Sequence, residues 1–554
     1  MKKTCTYYNL DFELTAADLD FYQRVSPKFN GKRHEIPPPS LSPDARLIRR
    51  MCWRNDRTFF KRRCSLSGKQ MVAIYPEATP FPVYHPNEWW SDRWDPEDYS
   101  RELSLDRPFF EQWHELMQVV PRLGIDIVNC ENSDYCNYCG DDKNCYLDIA
   151  GEANEDCYYN LFTKYSKNCV DCTFVYNSEL SFQSINCYSC HDIRYAYYLE
   201  NCSNCGFCFD LKDCHNCLFS SNLRHKQYYV HNKACSKEEY QRALAALELT
   251  NRSKLKQHVE TWREVIARAI HRDMYNLNSE DCTGDNIKNS KNCKVCFNIS
   301  NCWDCKYLYD VLDAKDCYDL NYSLYKPEAS YELISTLNMT NSAFCMASHY
   351  CDHCFYCDQC NNSNNLFGCI GMNQRSYCIL NKQYSKEEYE TLVPKLVEAM
   401  TERGEWGEFF PSELSPWAYN DTVAQEYFPL SEAKAKELGH TFRTFDTLAA
   451  SGDVRPPVDL QQADETTSAT TYYCTETGKA FRIIPQELGF YQHMGVALPD
   501  KAPDARHLER LRMRNPRKLY ERTCDKLGTN TVSTYAPDRP ETVYCEQAYF
   551  DFVR

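Results

Sequence analysis

The chain has 554 residues, 43% of them hydrophobic and 25% charged, with a formal net charge of −15. That length predicts several domains, and the composition excludes a disordered polar chain. No apolar run is long enough to span a bilayer and the start lacks a signal-peptide core, so the expected compartment is the cytoplasm, with no membrane partner and with reduced thiols.

Residues 1–125 read as a basic module. Its first 64 residues carry 14 Lys/Arg against 7 Asp/Glu, with Arg46, Arg49, Arg50, Arg54 and Arg57 close together beside Trp53 and Phe59. Clustered arginine next to aromatic rings is the footprint of phosphate contact with base stacking, which makes nucleic acid the expected partner. The competing reading is intramolecular, with these arginines paired to acidic residues of the middle of the chain.

Residues 126–235 carry fifteen cysteines, from Cys130 to Cys235, whose separations are all multiples of three. An α-helix advances about 3.6 residues per turn and a strand alternates faces every two, so neither holds one face at a period of three. A solenoid does, if coils of roughly 12–15 residues stack equivalent cysteines into ladders. Ten of the fifteen follow Asn or Asp, as in Asn168-Cys169, Asp171-Cys172 and Asn201-Cys202. These residues tolerate left-handed backbone angles, so each step predicts a corner followed by an inward side chain. The 41 tyrosines crowd the same region and predict aromatic ladders along the coil edges.

Residues 236–272 predict a helical cap. Ser236-x-x-Glu239 is a capping box, and Leu255, Val259, Trp262, Ile266 and Ile270 keep helical spacing, giving a helix over roughly 237–270. Residues 273–384 predict a second array, because Cys202, Cys205 and Cys208 map at a constant offset onto Cys351, Cys354 and Cys357. The same offset carries Ser236/Glu239 onto Ser385/Glu388. Residues 385–470 predict a helical and irregular segment, with a kink or break at Pro394 and a polar linker from Ser451 to Thr470.

Residues 471–554 repeat the first module. Pro43-Asp44-Ala45-Arg46 returns as Pro503-Asp504-Ala505-Arg506, Cys64 as Cys524, and the arginines as Arg506, Arg510, Arg514 and Arg517. The predicted fold class is therefore mainly β with α: two tandem cysteine-ladder β-solenoid arrays with helical caps, flanked by two related modules.

The flanks, the Asn-Cys-x-x-Cys arrays and the segments Gly404-Glu-Trp-Gly and Ser415-Pro-Trp-Ala-Tyr resemble the uncharacterised cysteine-rich, zinc-ribbon-flanked repeat proteins of candidate-phyla-radiation bacteria. The resemblance covers nearly the whole chain and implies degenerate zinc-ribbon-like end modules. It implies no activity. Tetrahedral zinc takes four thiolate or imidazole ligands, yet Cys5 faces Tyr8 three residues on, Cys64 faces Ser67, Cys474 faces Thr477 and Cys524 faces Leu527. The further ribbon positions hold Ser42, Ala45, Ala502 and Ala505.

Three states suit stacked thiols: buried hydrophobe, disulfide and metal ligand. The candidate metal ligands are Cys202, Cys205, Cys208, Cys351, Cys354, Cys357 and Cys360, which would load zinc, copper(I) or an iron–sulfur cluster. The last four depart from the ferredoxin signature, because the final gap is two residues and Asn361 follows. No cofactor is the leading expectation. The chain also lacks His-Glu-x-x-His, Gly-x-Ser-x-Gly, Gly-x-Gly-x-x-Gly and a phosphate-cradling loop, so no enzyme is expected. The leading expectation is an interaction scaffold whose end modules bind RNA or a ribosomal particle; metal binding and self-association are the alternatives.

Overall fold

The computed structural model describes residues 1–323, 325–335, 337–444 and 452–554. Strands take 30% of the chain and helices 23%, the mainly-β composition with helices that the cysteine period and capping boxes predict. The chain divides into two compact units. One comprises residues 1–125, 274–444 and 517–519, and the other 126–273, 445–516 and 520–554. Each unit therefore joins one cysteine array to the end module lying farther from it in sequence.

In the second unit, parallel pairing advances by twelve residues: Leu161 pairs with Thr173, Thr173 with Ile185, and Ile185 with Tyr197. The same step carries Ser203 to His215 and His215 to Gln227. Every third residue from Asn129 to His231 has a positive φ, between 47° and 61°. Each twelve-residue rung is thus four three-residue sides with a left-handed corner between them. An L-residue pays about 1–2 kcal/mol for that corner, less for Asn and Asp, which is why those residues recur there. Where the corner is aromatic, the rings of successive rungs stack: Tyr195 on Phe207 at 5.1 Å, Phe207 on Phe219 at 4.8 Å, and Phe219 on His231 at 5.0 Å.

The residue after each corner points inward. All 34 cysteines are free thiols, and most of them are buried. Within the arrays, thiols such as those of Cys169 and Cys202 donate to main-chain carbonyls, one two residues back and one nine residues on. Cys169 Sγ reaches Lys167 O at 3.5 Å and Ser178 O at 3.6 Å, and Cys202 Sγ reaches Glu200 O at 3.2 Å and Leu211 O at 3.5 Å. Serine does the same in the same ladders, with Ser166 Oγ donating to Lys164 O at 2.9 Å. The inward site asks for a small, largely apolar side chain with one weak donor, and cysteine supplies that.

The array of the first unit repeats this pattern. Gly284 pairs with Cys296, Phe297 with Tyr309, and Asp352 with Asn364 and then Ser376, again at steps of twelve. One rung is longer: Lys315 pairs with Glu328, a step of thirteen, and two adjacent left-handed residues, Tyr325 and Lys326, absorb the extra residue.

Both capping boxes form. Ser236 accepts from the Glu239 amide at 3.1 Å and Ser385 from the Glu388 amide at 3.2 Å. The first does not open one continuous helix. Helix Lys237–Ala245 stops, and Asn251 caps a second helix, Arg252–Arg268. Ile270, expected on that helix, lies in the strand Ile270–Arg272, paired with Thr542–Tyr544. Pro394 does not break the helix Lys386–Glu402. An interior proline costs about 3 kcal/mol, and burial of Tyr389, Val393, Leu396, Val397 and Met400 outweighs it, at roughly 1.5–3 kcal/mol for each large apolar side chain. Ser451 lies outside the described residues. From residue 452 the expected linker is exposed over much of its length but anchored, with Leu460 N–H donating to Thr250 O at 2.9 Å.

Candidate functional site

The basic runs were the candidate binding surface, and the structure turns most of them inward. Arg46, Arg50 and Arg54 are 0–2% exposed, and Arg506 and Arg510 are 4% and 2% exposed. In the first unit, the helix Pro43–Met51 carries Arg46, Arg49 and Arg50 on successive turns towards the array. Arg46 donates through Nε and Nη2 to Asp319 Oδ2, at 3.0 and 2.8 Å, and through Nη1 to Leu41 O at 2.9 Å. Arg50 bonds Asn321 Oδ1 at 2.7 Å and Asp319 Oδ1 at 3.2 Å. Arg49 bridges Glu408 at 2.7 Å and Glu332 at 3.1 Å. Arg54 donates to Asp56 at 2.6 Å and lies 4.0 Å over the Tyr322 ring, while Arg57 is half-buried beside it.

The second unit builds the same cluster from the repeated helix Pro503–Met513. Arg506 meets Asp171 Oδ2 and Glu487 Oε1, both at 3.0 Å, and Arg510 meets Asp171 Oδ1 at 2.9 Å. Arg514 lies 4.0 Å over Phe174, the counterpart of Arg54 over Tyr322. Arg517 belongs with the first unit, where it pairs with Asp310 and lies 4.1 Å over Tyr427.

Burial works against the Arg46 and Arg506 charges. The Asp319 and Asp171 carboxylates more than offset it and hold both guanidinium groups above their ordinary range. Burial pushes Glu487 up, although Arg506 opposes the shift. Arg46 and Arg506 are thus engaged within the chain, because each has a carboxylate and an aromatic face within reach in a dry interior. Sequence reading missed the acceptors. Asp171 was legible as a corner residue, and its φ is 55°, but its side chain is also the anchor for Arg506 and Arg510.

The end modules contain four turns of one design. At Cys5, Cys64, Cys474 and Cys524 the cysteine N–H donates to the carbonyl five residues on, each at 2.8 Å, and its carbonyl accepts the N–H four residues on, at 2.8–2.9 Å. Burial would raise each thiol, but hydrogen bonds from Ser42, Ser67, Thr477 and the Cys545 main chain bring all four below the usual range. Tyr8, Ser67, Thr477 and Leu527 stand at the position a second thiolate would take.

Cys202, Cys205, Cys208, Cys351, Cys354, Cys357 and Cys360 are all buried. Their thiols point to main-chain oxygens, as Cys351 to His349 O at 3.3 Å and Cys360 to Cys369 O at 3.4 Å. Burial pushes Cys354, Cys357 and Cys360 well up, which favours the neutral thiol. No three of these seven sulfurs lie within 4.8 Å of one another. Among the described residues, no helix is long and apolar enough to cross a membrane.

No family model matches the chain, and no curated protein matches it. Among solved structures, a candidate acetyltransferase from Desulfovibrio desulfuricans G20 is similar at 9% identity, covering 50% of this chain and 82% of that one. Its TM-score of 0.11 carries no argument about fold or activity.

Proposed function

We propose that the protein is a non-enzymatic interaction scaffold. On this reading its arrays are β-solenoids, and its end modules are zinc-ribbon-like folds that have exchanged metal for buried ion pairs. The observation that carries it is the repeated cluster, Arg46 and Arg50 on Asp319 and Arg506 and Arg510 on Asp171, which spends the modules' arginines on bracing the arrays.

Contact with a partner then falls to the exposed polar rungs and to the lysines left outside. In the second unit, Glu131, Lys143, Glu155, Lys167 and Glu179 follow one another at steps of twelve on one side of the array, with Lys167 and Glu155 paired at 3.1 Å. In the first module, Lys61, Arg63 and Lys69 are exposed. The exposed Lys61, Arg63 and Lys69 meet RNA or a ribosomal particle in the cytoplasm through charge, so binding falls steeply with salt.

Lysine footprinting tests it: acylation of the full chain, alone and with single-stranded RNA or ribosomal particles, read by mass spectrometry. Protection at Lys61 and Lys69, or at Lys143 and Lys167, that disappears above roughly 0.5 M salt supports the reading. Unchanged labelling with both partners would remove RNA and the ribosome as partners.

A further inference from the structure

One rung of the first array is chemically unlike the others. Its four inward positions are Asp142, Cys145, Asp148 and Gly151, each following a left-handed corner. Asp142 and Asp148 are both 0% exposed. Asp142 Oδ1 accepts the Asn154 amide at 3.0 Å, and Asp148 Oδ2 accepts Asn154 Nδ2 at 2.8 Å. The other oxygen of each, Asp142 Oδ2 and Asp148 Oδ1, has no hydrogen-bond partner among the described residues. The nearby buried cation, Lys164, is committed to Glu152 at 3.1 Å.

The next rung fills the same two ladders with asparagine, Asn154 and Asn160. Asn154 and Asn160 each accept the amide twelve residues on, from Ser166 at 3.1 Å and Cys172 at 2.8 Å. Each also donates Nδ2 to the carbonyl nine residues on, at 2.6 and 3.0 Å. Asparagine therefore satisfies the lattice on both sides. Aspartate puts an acceptor where the lattice wants a donor, and this rung does so twice.

The two carboxyl groups converge over the glycine. A Cβ at Gly151 would stand 2.4 Å from Asp148 Oδ2 and 2.8 Å from Asp142 Oδ2. Cys139, from the preceding rung, completes the group: its sulfur accepts the Gly151 amide at 3.3 Å, and the three ligand atoms lie within 4.8 Å of one another. Burying two carboxyl groups side by side with a single buried lysine that they share with Glu152 is costly, and a bound cation lowers that cost.

We propose that Cys139, Asp142 and Asp148 bind one divalent transition-metal ion inside the first array, with zinc the best match to a thiolate and two carboxylates. Zinc takes these ligand types at about 2.0–2.3 Å. The site shares no residue with the thiol sets Cys202, Cys205, Cys208 and Cys351, Cys354, Cys357, Cys360, and it does not depend on the scaffold reading.

The test is metal uptake by the full chain, purified anaerobically, stripped with a chelator and titrated with Zn²⁺ or Co²⁺ against a chromophoric competitor. The chain is expected to take up one tightly bound ion that Asp142→Asn/Asp148→Asn lacks, with the near-UV circular dichroism of the two proteins unchanged. Cys139→Ser is expected to lose the thiolate-to-cobalt charge-transfer band. Equal uptake by wild type and double variant, or no uptake by wild type, overturns the proposal. If the double variant fails to fold, wild-type melting decides: a rise in Tm saturating at one equivalent of Zn²⁺ and absent in Cys139→Ser supports the site, and no rise overturns it.

Discussion

Arg46 places two N–H groups on a single oxygen of Asp319, and neither side chain is exposed to solvent. In the other unit Arg506 reaches Asp171 Oδ2 through Nη1 alone, at 3.0 Å, and donates to Glu487 and the Tyr491 hydroxyl, so the repeated helix brings an arginine to a corner carboxylate twice with different hydrogen bonding. Tyr307 and Tyr159, beneath the two guanidinium groups at 5.4 and 4.8 Å, complete the correspondence.

Removing Arg46 leaves Asp319 with Arg50, and removing Arg506 leaves Asp171 with Arg510, so each buried carboxylate loses one of its two arginines. Arg46→Ala and Arg506→Ala are each expected to cost about 3–5 kcal/mol, because the buried carboxylates of each cluster then outnumber the arginines that face them. Urea unfolding followed by near-UV circular dichroism reads the difference. Single variants as stable as wild type would mean that the pairs do not brace the arrays.

Thiol accessibility is the second prediction. Only Cys130, Cys235, Cys282 and Cys545 are partly exposed. Alkylation of the native chain followed by peptide mass spectrometry should label these four and spare the rest until denaturant is added. Rapid labelling of Cys354 or Cys357 would show that the ladders open under native conditions.

The corner rule can be tested at Asn168, where φ is 51°. A β-branched residue there is expected to destabilise the array by about 1–2 kcal/mol, while Asn168→Gly costs little. Comparing the denaturation midpoints of Asn168→Val and Asn168→Gly checks it, and equal midpoints would count against corner strain as the reason for the Asn/Asp pattern.

Acid should weaken the second unit through His271. Burial lowers its pKa below the usual 6.5, and the ring is held between Ile266 O at 2.9 Å and the Tyr535 hydroxyl at 2.8 Å. The unfolded chain then binds more protons than the folded one between 6.5 and the lower folded value, so stability falls as pH drops through that window. Melting temperatures from pH 7.5 to 5 should decline, and His271→Gln should flatten the part of the decline that belongs to this ring. An unchanged slope would remove His271 as the cause.

Part of this architecture was legible residue by residue. The cysteine period reports a left-handed corner every third residue, and Asn168, Asp171 and Asn201 are corners as their identity requires. Ser236/Glu239 and Ser385/Glu388 cap helices because the capping contact is local. Pro394 and Ile270 went the other way, since burial over Lys386–Glu402 and pairing of Ile270 with Thr542 are decided by partners distant in sequence.

The repeat, the corner chemistry, the inward thiols and the kinship of the two ends can be read from the residues in order, because each depends on a residue and its near neighbours. Tertiary structure alone decided what the arginines do and which carboxylates stand together. Arg46 and Asp319 lie 273 positions apart, and Asp142, Asp148 and Cys139 meet only when the chain turns through a twelve-residue rung. A charge is a surface feature or a buried pair according to what lies within a few ångströms of it, and that is set by packing.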